Sequence, residues 1–220
     1  MKSLTDQFIE KSQGILNIYP EVSDNTDKYQ MFDSGATEIE VAEYLWGLVK
    51  ILKPETILET GTFTGVSSLY IAQALKENNY GHLITIEYER FHKDRAEQLW
   101  QNCDVSQFVT CELKSSLDFQ PDKKYQLIFL DSEPQIRFAE LEKFSPFLEE
   151  GGYIGIHDLP RTLCQGNINP DHPDIKSYPF GDIPPLMKEL LQTGKLIKIH
   201  FPSPRGLTFF YKSRDDDYKP

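Results

Sequence analysis

Between residues 56 and 157, short apolar segments alternate with segments of helical periodicity, and this alternation constrains the fold more than any other feature. Strands are predicted at residues 56–59, 82–87, 108–112, 125–130 and 152–157, and helices at 66–76, 90–102 and 135–148. Strands that alternate with helices form right-handed βαβ units. The sequence therefore predicts an α/β fold with helices on both faces of a parallel sheet.

The segments on either side of this alternation extend the prediction. Apolar residues recur at helical spacing over residues 37–52, and a last helix is predicted at 184–192. Two more strands are predicted at residues 196–201 and 207–212, and the five residues between them are too few for a crossover helix. We therefore expect these two strands to pair antiparallel at one edge of the sheet.

The length and charge of the chain limit its organisation and its partners. The chain has 220 residues and a formal net charge of -11, and 39% of its residues are hydrophobic. We expect an N-terminal helical and loop extension over residues 1–33, one domain over 34–213, and an acidic tail over 214–220. The negative charge argues against nucleic acid and anionic lipid as partners. A small molecule is the expected partner, and a homodimer is left open.

The cysteines indicate the compartment. Cys103, Cys111 and Cys164 are odd in number and lack C-x-x-C spacing, which is typical of thiols in a reducing compartment. The chain has no apolar run of about 20 residues, the length of a membrane span. We therefore expect a cytoplasmic protein that does not bind membranes.

A glycine turn marks the expected ligand site. Residues 57–68 read as a strand, a tight turn with Gly61 and Gly65, and the start of a helix. Gly61 is expected to allow a sharp turn near a ligand, and Gly65 to allow close packing of the following helix on the strand. Phe63 stands where a dinucleotide-binding turn has its second glycine, which hinders the approach of a pyrophosphate. The turn is typical of a nucleotide-like ligand but not of a dinucleotide.

Glu87 is a candidate ribose-binding residue. It ends the second predicted strand, 26 residues after Gly61, and an acidic residue in that place hydrogen-bonds the two ribose hydroxyls in folds of this kind. The alternative interpretation is a solvated carboxylate at a strand end.

Four motifs resemble, in order and spacing, those of class I S-adenosylmethionine-dependent methyltransferases: residues 59–65, 85–87, 128–131 and 151–155. The resemblance covers about residues 34–212 and is strongest to the catechol and caffeoyl-CoA O-methyltransferases and to bacterial small-molecule methyltransferases. It implies a Rossmann-like three-layer sandwich with a seven-stranded, mostly parallel sheet and an antiparallel C-terminal edge hairpin. An aromatic residue at the position of Phe63 is usual in that family.

The resemblance also implies the residues of a cofactor site. S-adenosylmethionine would meet Glu59 and the glycine turn at its methionine end, Glu87 at its ribose, and the segment after the third strand at its adenine. That last segment departs from the family, because Lys114-Ser115-Ser116 replaces the usual Gly-Asp-Ala, and a loop that caps a helix is an equal alternative there. The expected cofactor-binding residues are Glu59, Gly61, Thr62, Phe63, Gly65, Glu87, Ser115, Ser116 and Asp131.

Two aspartates are candidate metal ligands. Asp131 and Asp158 follow adjacent strands at their carboxyl ends, and two carboxylates there suit a hard divalent ion such as Mg²⁺ or Ca²⁺. The metal-dependent relatives add a ligand directly after the second aspartate and a lysine three residues after the first. Here these positions hold Leu159 and Pro134. With Glu133 or His157 as third ligand, we expect at best weak metal binding.

His157 and Asp158 are the candidate catalytic residues. His157 is the expected general base, because the unperturbed pKa of histidine lies near working pH. An equal alternative is that His157 is a buried core histidine. In that case Asp158 is the base or the substrate anchor. Residues 160–181 form a long connection that we expect to contact the substrate.

These predictions lead to one function and two alternatives. The predicted function is S-adenosylmethionine-dependent methylation of a small polar or hydroxylated molecule on oxygen, with nitrogen left open as the acceptor atom. An NAD-linked oxidoreductase is one alternative, although Phe63 argues against it. A relative that binds the cofactor without catalysis is the other, because the lysine and the third metal ligand are missing.

Overall fold

The structure is a computed structural model, and it describes residues 2–20, 29–33, 35–158, 185–201 and 205–214. The predicted substrate-contacting connection at residues 160–181, Leu159, Cys164 and the tail from residue 215 lie outside the described residues. None of the helices in the described ranges combines the length and the apolar character needed to cross a membrane.

Apart from two short N-terminal strands that the sequence does not predict, the helices and strands follow the predicted order. The helices are α1 Leu4–Lys11, α2 Ile39–Leu52, α3 Val66–Asn78, α4 Arg90–Asn102, α5 Arg137–Phe144 and α6 Pro185–Gln192. The strands are β1 Tyr19–Pro20, β2 Gln30–Met31, β3 Thr56–Thr60, β4 His82–Glu87, β5 Val109–Leu113, β6 Tyr125–Leu130, β7 Leu148–His157, β8 Leu196–Phe201 and β9 Leu207–Lys212. Strands β1 and β2 pair with each other as a separate antiparallel ribbon.

The other strands form a seven-stranded sheet in the order β5-β4-β3-β6-β7-β9-β8. Strands β4 and β5 are parallel, as are β3, β6 and β7. Strand β9 lies between β7 and β8 and is antiparallel to both. The predicted α/β fold, with a mostly parallel sheet and an antiparallel C-terminal edge hairpin, is confirmed.

The first of two compact units comprises residues 1–55 and 61–115. Helix α3 lies in its interior, with both apolar side chains and the small residues Ser67 and Ser68 buried. Helix α1 is fixed to α3 by an edge-to-face contact between Phe8 and Tyr70, whose ring centroids are 4.9 Å apart. The Tyr70 hydroxyl hydrogen-bonds to Thr5 Oγ1 at 2.8 Å. This packing holds the helix that follows the glycine turn.

The second compact unit comprises residues 56–60 and 116–220. The carboxyl-terminal halves of its central strands β3, β6 and β7 are buried, as expected for parallel strands covered on both faces. Gly155 is required by close packing, because a Cβ atom there would lie 2.7 Å from Cζ of Phe209 on β9. The register that pairs Leu130 with Ile156 brings the carboxyl ends of β6 and β7 side by side.

The region between β6 and β7 differs most from the prediction. The helix predicted at residues 135–148 ends at Phe144, and a 3-10 turn, Ser145–Phe147, follows. Pro146 has no N–H group to continue the α-helical hydrogen bonds. Strand β7 begins at Leu148 rather than at residue 152, with a bulge before Tyr153 that includes Gly151 at φ 79°. Helix α2 begins two residues later than predicted, at Ile39.

Candidate functional site

The glycine turn between β3 and α3 is fixed by backbone hydrogen bonds within the first unit. The Gly61 and Thr62 N–H groups donate to the Ile86 carbonyl at 3.0 and 3.3 Å, and the Gly65 N–H donates to the Thr62 carbonyl at 2.8 Å. Gly61 and Gly65 both have positive φ, 82° and 80°, a conformation that favours glycine. The turn therefore follows β3 directly and is tied to the end of β4.

Gly65 is also fixed by a neighbouring helix. A Cβ atom at this position would lie 2.7 Å from the Ala96 Cβ and 2.9 Å from the Trp100 Nε1. The Trp100 indole N–H donates to the Gly65 carbonyl at 3.0 Å. The close approach that the sequence predicts at Gly65 is therefore made with α4, which carries Ala96 and Trp100.

Glu87 organises the turn as well as ending β4. Its Oε2 accepts a hydrogen bond from the Phe63 N–H at 2.8 Å, and its Oε1 accepts from the Tyr88 and Glu89 N–H groups, each at 2.9 Å. Phe63 has φ 46°, an uncommon value for a non-glycine residue. Glu87 is buried. The carboxylate is thus held beside the turn, and the interpretation as a solvated strand-end residue does not fit this geometry.

The Phe63 ring is enclosed by two residues that the sequence analysis missed. It packs edge-to-face on His92, with ring centroids 4.6 Å apart. A Cβ atom at Gly35 would lie 3.0 Å from Phe63 Cζ. His92 Nδ1 lies 3.9 Å from Glu87 Oε1. No local sequence signal distinguishes His92 from a surface residue of α4, because only the fold brings it to the turn.

Two of the predicted cofactor-binding hydroxyls are turned inward. Thr62 Oγ1 hydrogen-bonds to Thr85 Oγ1 at 2.7 Å and lies 3.6 Å from Cys111 Sγ. In the second unit, the buried Ser116 hydroxyl lies beside the Glu140 carboxylate. The Thr62 hydroxyl is therefore engaged inside the protein and does not face a ligand in this arrangement.

A second group of polar residues lies at the carboxyl ends of β6 and β7. We call Asp131, Arg137, His157 and Asp158 the aspartate–arginine cluster. His157 Nδ1 lies 2.9 Å from Asp131 Oδ1 and 3.5 Å from Asp158 Oδ1. The His157 side chain is only 1% exposed. The predicted grouping of Asp131, His157 and Asp158 is therefore observed, and His157 is buried with its Nδ1 facing the two aspartates.

Arg137, in the first turn of α5, is the residue that the sequence analysis missed. Its Nη2 lies 3.1 Å from Asp131 Oδ1 and 3.1 Å from Asp158 Oδ2, and its side chain is 3% exposed. Its Nε donates to the Ser132 carbonyl at 3.0 Å, and its Nη1 donates to the His157 carbonyl. The guanidinium therefore bridges the two aspartates.

Charges in and beside this cluster set the pKa of Asp158. Burial alone would raise this pKa, but His157 in its protonated form and the positive charges of Arg137 and Arg205 outweigh it and lower the pKa below its ordinary value. Arg205 lies just before β9, and its Nε is 3.5 Å from Asp158 Oδ1. Asp158 is thus held as a carboxylate between positive groups, which suits an anchor better than a proton acceptor.

Glu140 extends the cluster into the interior of the second unit. Its Oε2 accepts hydrogen bonds from Ser132 Oγ at 2.6 Å and from Thr60 Oγ1 at 3.1 Å. Burial raises the pKa of Glu140, and these hydroxyls together with Arg137 only partly oppose that effect.

The expected metal site does not fit this cluster. The ligand atoms of Asp131, His157 and Asp158 lie within 4.8 Å of one another, as a metal site requires. The Arg137 guanidinium, however, already neutralises the two aspartates from a buried position. The other proposed third ligand, Glu133, is exposed and is not in this group. A divalent ion would have to displace a buried cation that four acceptors hold.

Known proteins resemble this chain in sequence and in fold. Residues 58–159 match a family described as "Methyltransferase domain". A "Putative O-methyltransferase" of Mycobacterium sp. (strain KMS) is 26% identical over 128 residues, which are 56% of this chain and 57% of that protein. "Catechol O-methyltransferase domain-containing protein 1" of Mus musculus is 23% identical over 180 residues, 79% of this chain and 66% of that protein. The matches thus span less than two thirds of either relative.

A solved structure supports the fold. The O-methyltransferase from Bacillus cereus in complex with S-adenosylhomocysteine superposes with a TM-score of 0.67 at 17% identity, and the match covers 96% of this chain and 92% of that one. The resemblance that the four motifs predicted is confirmed, because residues 58–159 match the methyltransferase family and the relatives found by sequence are described as O-methyltransferases.

Proposed function

We propose that this protein transfers the methyl group of S-adenosylmethionine to an oxygen atom of a small polar or hydroxylated molecule. The observation that carries the proposal is the buried Glu87 carboxylate, which is fixed on the backbone of a glycine turn inside a methyltransferase domain. A carboxylate held in this way is a preorganised acceptor for a ribose hydroxyl.

The first unit supplies the ribose-binding carboxylate and the glycine turn of this proposal. Each carboxylate oxygen has about two lone-pair sites, and Glu87 Oε2 accepts one backbone hydrogen bond, from Phe63. We assign the remaining acceptor capacity of Glu87 to the ribose. Gly61 and Gly65 let the backbone of the turn approach the cofactor. The Bacillus cereus structure, which holds S-adenosylhomocysteine, supports this choice of cofactor.

The assignments of the other cofactor-binding residues remain predictions. Glu59 is fully buried on β3, one residue before the strand ends. Asp131 is fixed by a hydrogen bond from its N–H to the Thr60 carbonyl at 3.0 Å. Ser115 stays a predicted adenine contact, whereas the inward position of Ser116 makes its side chain a weaker candidate.

We assign removal of the acceptor proton to the aspartate–arginine cluster. If the His157 Nδ1–H donates to Asp131, the lone pair of the neutral ring is on Nε2, where it can accept a proton. Asp131 then fixes the tautomer and the ring orientation, as a carboxylate does for a catalytic histidine. Asp158, a carboxylate with a lowered pKa, acts as the anchor for a polar acceptor.

When bound, S-adenosylmethionine supplies a methyl group on a positively charged sulfur, which the acceptor oxygen displaces in line. The residues of the chain contribute position and proton transfer. Orientation of the two reactants supplies much of the rate of such reactions, and a general base typically adds about 10²- to 10⁴-fold. A small-molecule acceptor, rather than nucleic acid or membrane, agrees with the net charge of -11.

The first experiment is thermal unfolding with S-adenosylhomocysteine and, separately, with NAD. A ligand at a hundredfold excess over its dissociation constant stabilises by about 2.7 kcal/mol, which raises the Tm of a chain of this size by about 5 to 10 °C. We expect this rise with S-adenosylhomocysteine and none with NAD. A rise with NAD alone would favour the oxidoreductase alternative.

The second experiment measures transfer of a radiolabelled methyl group to catechols and to other hydroxylated acceptors. We expect His157→Ala to lower kcat about 10²- to 10⁴-fold with unchanged S-adenosylhomocysteine affinity. The matched control is His200→Ala, which removes an imidazole whose Nδ1 lies 2.9 Å from Thr208 Oγ1 at the sheet edge. Cofactor binding without transfer to any acceptor would identify the chain as a non-catalytic relative.

A further inference from the structure

The guanidinium of Arg137 occupies the position that a bridging cation would take between Asp131 and Asp158. Its Nη2 is 3.1 Å from an oxygen of each carboxylate. The same side chain donates to the carbonyls of Ser132 and His157. Since a guanidinium stays protonated at any working pH, this cation is permanent.

A divalent ion and this guanidinium would compete for the same two carboxylates in the observed arrangement. Magnesium binds carboxylate oxygens at about 2.1 Å, so an ion bound to these oxygens would lie within about 5 Å of Nη2. The repulsion would act in a site where water does not screen it, because the Arg137 side chain is 3% exposed. Arg137 cannot leave without breaking its bonds to both carbonyls.

One carboxylate oxygen links the guanidinium to the histidine. Asp131 Oδ1 accepts from Arg137 Nη2 and also lies 2.9 Å from His157 Nδ1. The position of Arg137 therefore determines the position of Asp131, and Asp131 in turn orients the His157 ring. An ion would instead compete with the histidine for this oxygen.

We infer that Arg137 is a built-in cation that replaces a divalent metal between Asp131 and Asp158 and positions His157 through Asp131. Arg137 is a positioning residue, because it acts through Asp131. Its effect on activity rests on the proposed function, whereas its effect on metal binding does not.

The experiment is a titration with Mn²⁺, in which electron paramagnetic resonance measures the free ion. We expect the wild-type protein to leave Mn²⁺ free up to millimolar concentration. Arg137→Ala should bind about one equivalent at least tenfold more tightly, because Asp131, His157 and Asp158 then lack their bridging cation. The additional substitution Asp158→Asn should abolish that gain.

Matched variants distinguish charge from general damage. Arg137→Lys keeps the positive charge and should not gain Mn²⁺ binding, and Arg90→Ala removes an exposed guanidinium that pairs only loosely with Asp94, at 3.9 Å. Circular dichroism of each variant reports folding. The inference would be overturned if the wild-type protein bound one equivalent of Mn²⁺ and the single substitution Asp158→Asn abolished that binding. This measurement does not depend on the folding of any Arg137 variant. A folded Arg137→Ala that gains no binding would overturn it as well.

Turnover gives an independent second measurement if the proposed function holds. Chelators should leave wild-type activity unchanged, whereas added Mn²⁺ should restore part of the activity of Arg137→Ala. Chelator-sensitive wild-type activity would contradict the inference without touching the methyltransferase assignment. Absence of any methyl transfer would contradict the proposed function, and the Mn²⁺ titration would still decide the role of Arg137.

Discussion

Replacing Glu87 by glutamine should weaken both the fold and cofactor binding, and the two effects can be measured separately. The oxygen of the introduced amide can keep the bonds from the Tyr88 and Glu89 N–H groups, since Glu87 Oε1 accepts both. The nitrogen of the amide would then face the Phe63 N–H, which in the wild-type protein donates to Oε2 at 2.8 Å. Two donors would meet, so this bond and the acceptor for the ribose are both lost.

The size of each effect follows from the lost bonds. A hydrogen bond to a charged group contributes about 1.5 to 3 kcal/mol, so the free energy of unfolding of Glu87→Gln should fall by about that amount. For a chain of this length, each kcal/mol lowers the Tm by about 2 to 4 °C. Loss of the ribose acceptor should weaken S-adenosylhomocysteine binding about 10- to 100-fold, since each factor of ten is about 1.4 kcal/mol.

Urea denaturation of the ligand-free protein measures the first effect, and isothermal titration calorimetry measures the second. Glu89→Gln is the control, because it makes the same chemical change in a neighbouring carboxylate. Glu89 is half-exposed, and its Oε2 lies 3.8 Å from His92 Nδ1. Unchanged affinity in Glu87→Gln would refute the ribose assignment. Unchanged stability would refute the proposed contribution of the Phe63 bond, whatever the affinity shows.

Three further predictions test the packing and the buried groups. Gly65→Ala should destabilise by about 2 to 4 kcal/mol in urea, since φ is 80° and a Cβ atom would lie 2.7 Å from Ala96 Cβ. Burial raises the folded-state pKa of Glu140, so its stabilising contribution is fully present below the unfolded pKa and is lost as pH rises through the folded value. Glu140→Gln should therefore be more stable relative to wild type at pH 8 than at pH 5, and the opposite trend in urea denaturation would contradict this. Burial raises the pKa of the Cys103 and Cys111 thiols to about 11, so both should resist iodoacetamide at pH 8 until the protein is denatured, as peptide mass mapping can show.

The glycine turn and the strand ends could be predicted because local chemistry determines them. Gly61 and Gly65 stand where positive φ is needed, and this requirement is visible in the sequence. Apolar runs ended by Glu87, Asp131 and Asp158 mark the carboxyl ends of strands, and the parallel pairing of β6 with β7 brings Asp131 and Asp158 together.

The inner partners of these residues could not be predicted in the same way. The Thr62 hydroxyl bonds to Thr85, 23 residues away, and the Phe63 ring packs on His92. Such contacts depend on how α4 and β4 pack, and no local pattern reports them. The sequence therefore predicts the glycine turn itself but not the direction of its polar side chains.

Arg137 shows that a comparison with the family motif, position by position, can miss a positive charge that a different residue supplies. The resemblance to metal-dependent methyltransferases placed a lysine three residues after the first aspartate, and Pro134 at that position suggested that the positive charge had been lost. The structure supplies a positive charge three residues later, from the first turn of α5, and a long side chain returns it to Asp131 and Asp158. The missing lysine and the poor fit of a metal thus have one physical explanation. The Arg137 guanidinium supplies the positive charge that the lysine and the metal ion would otherwise bring.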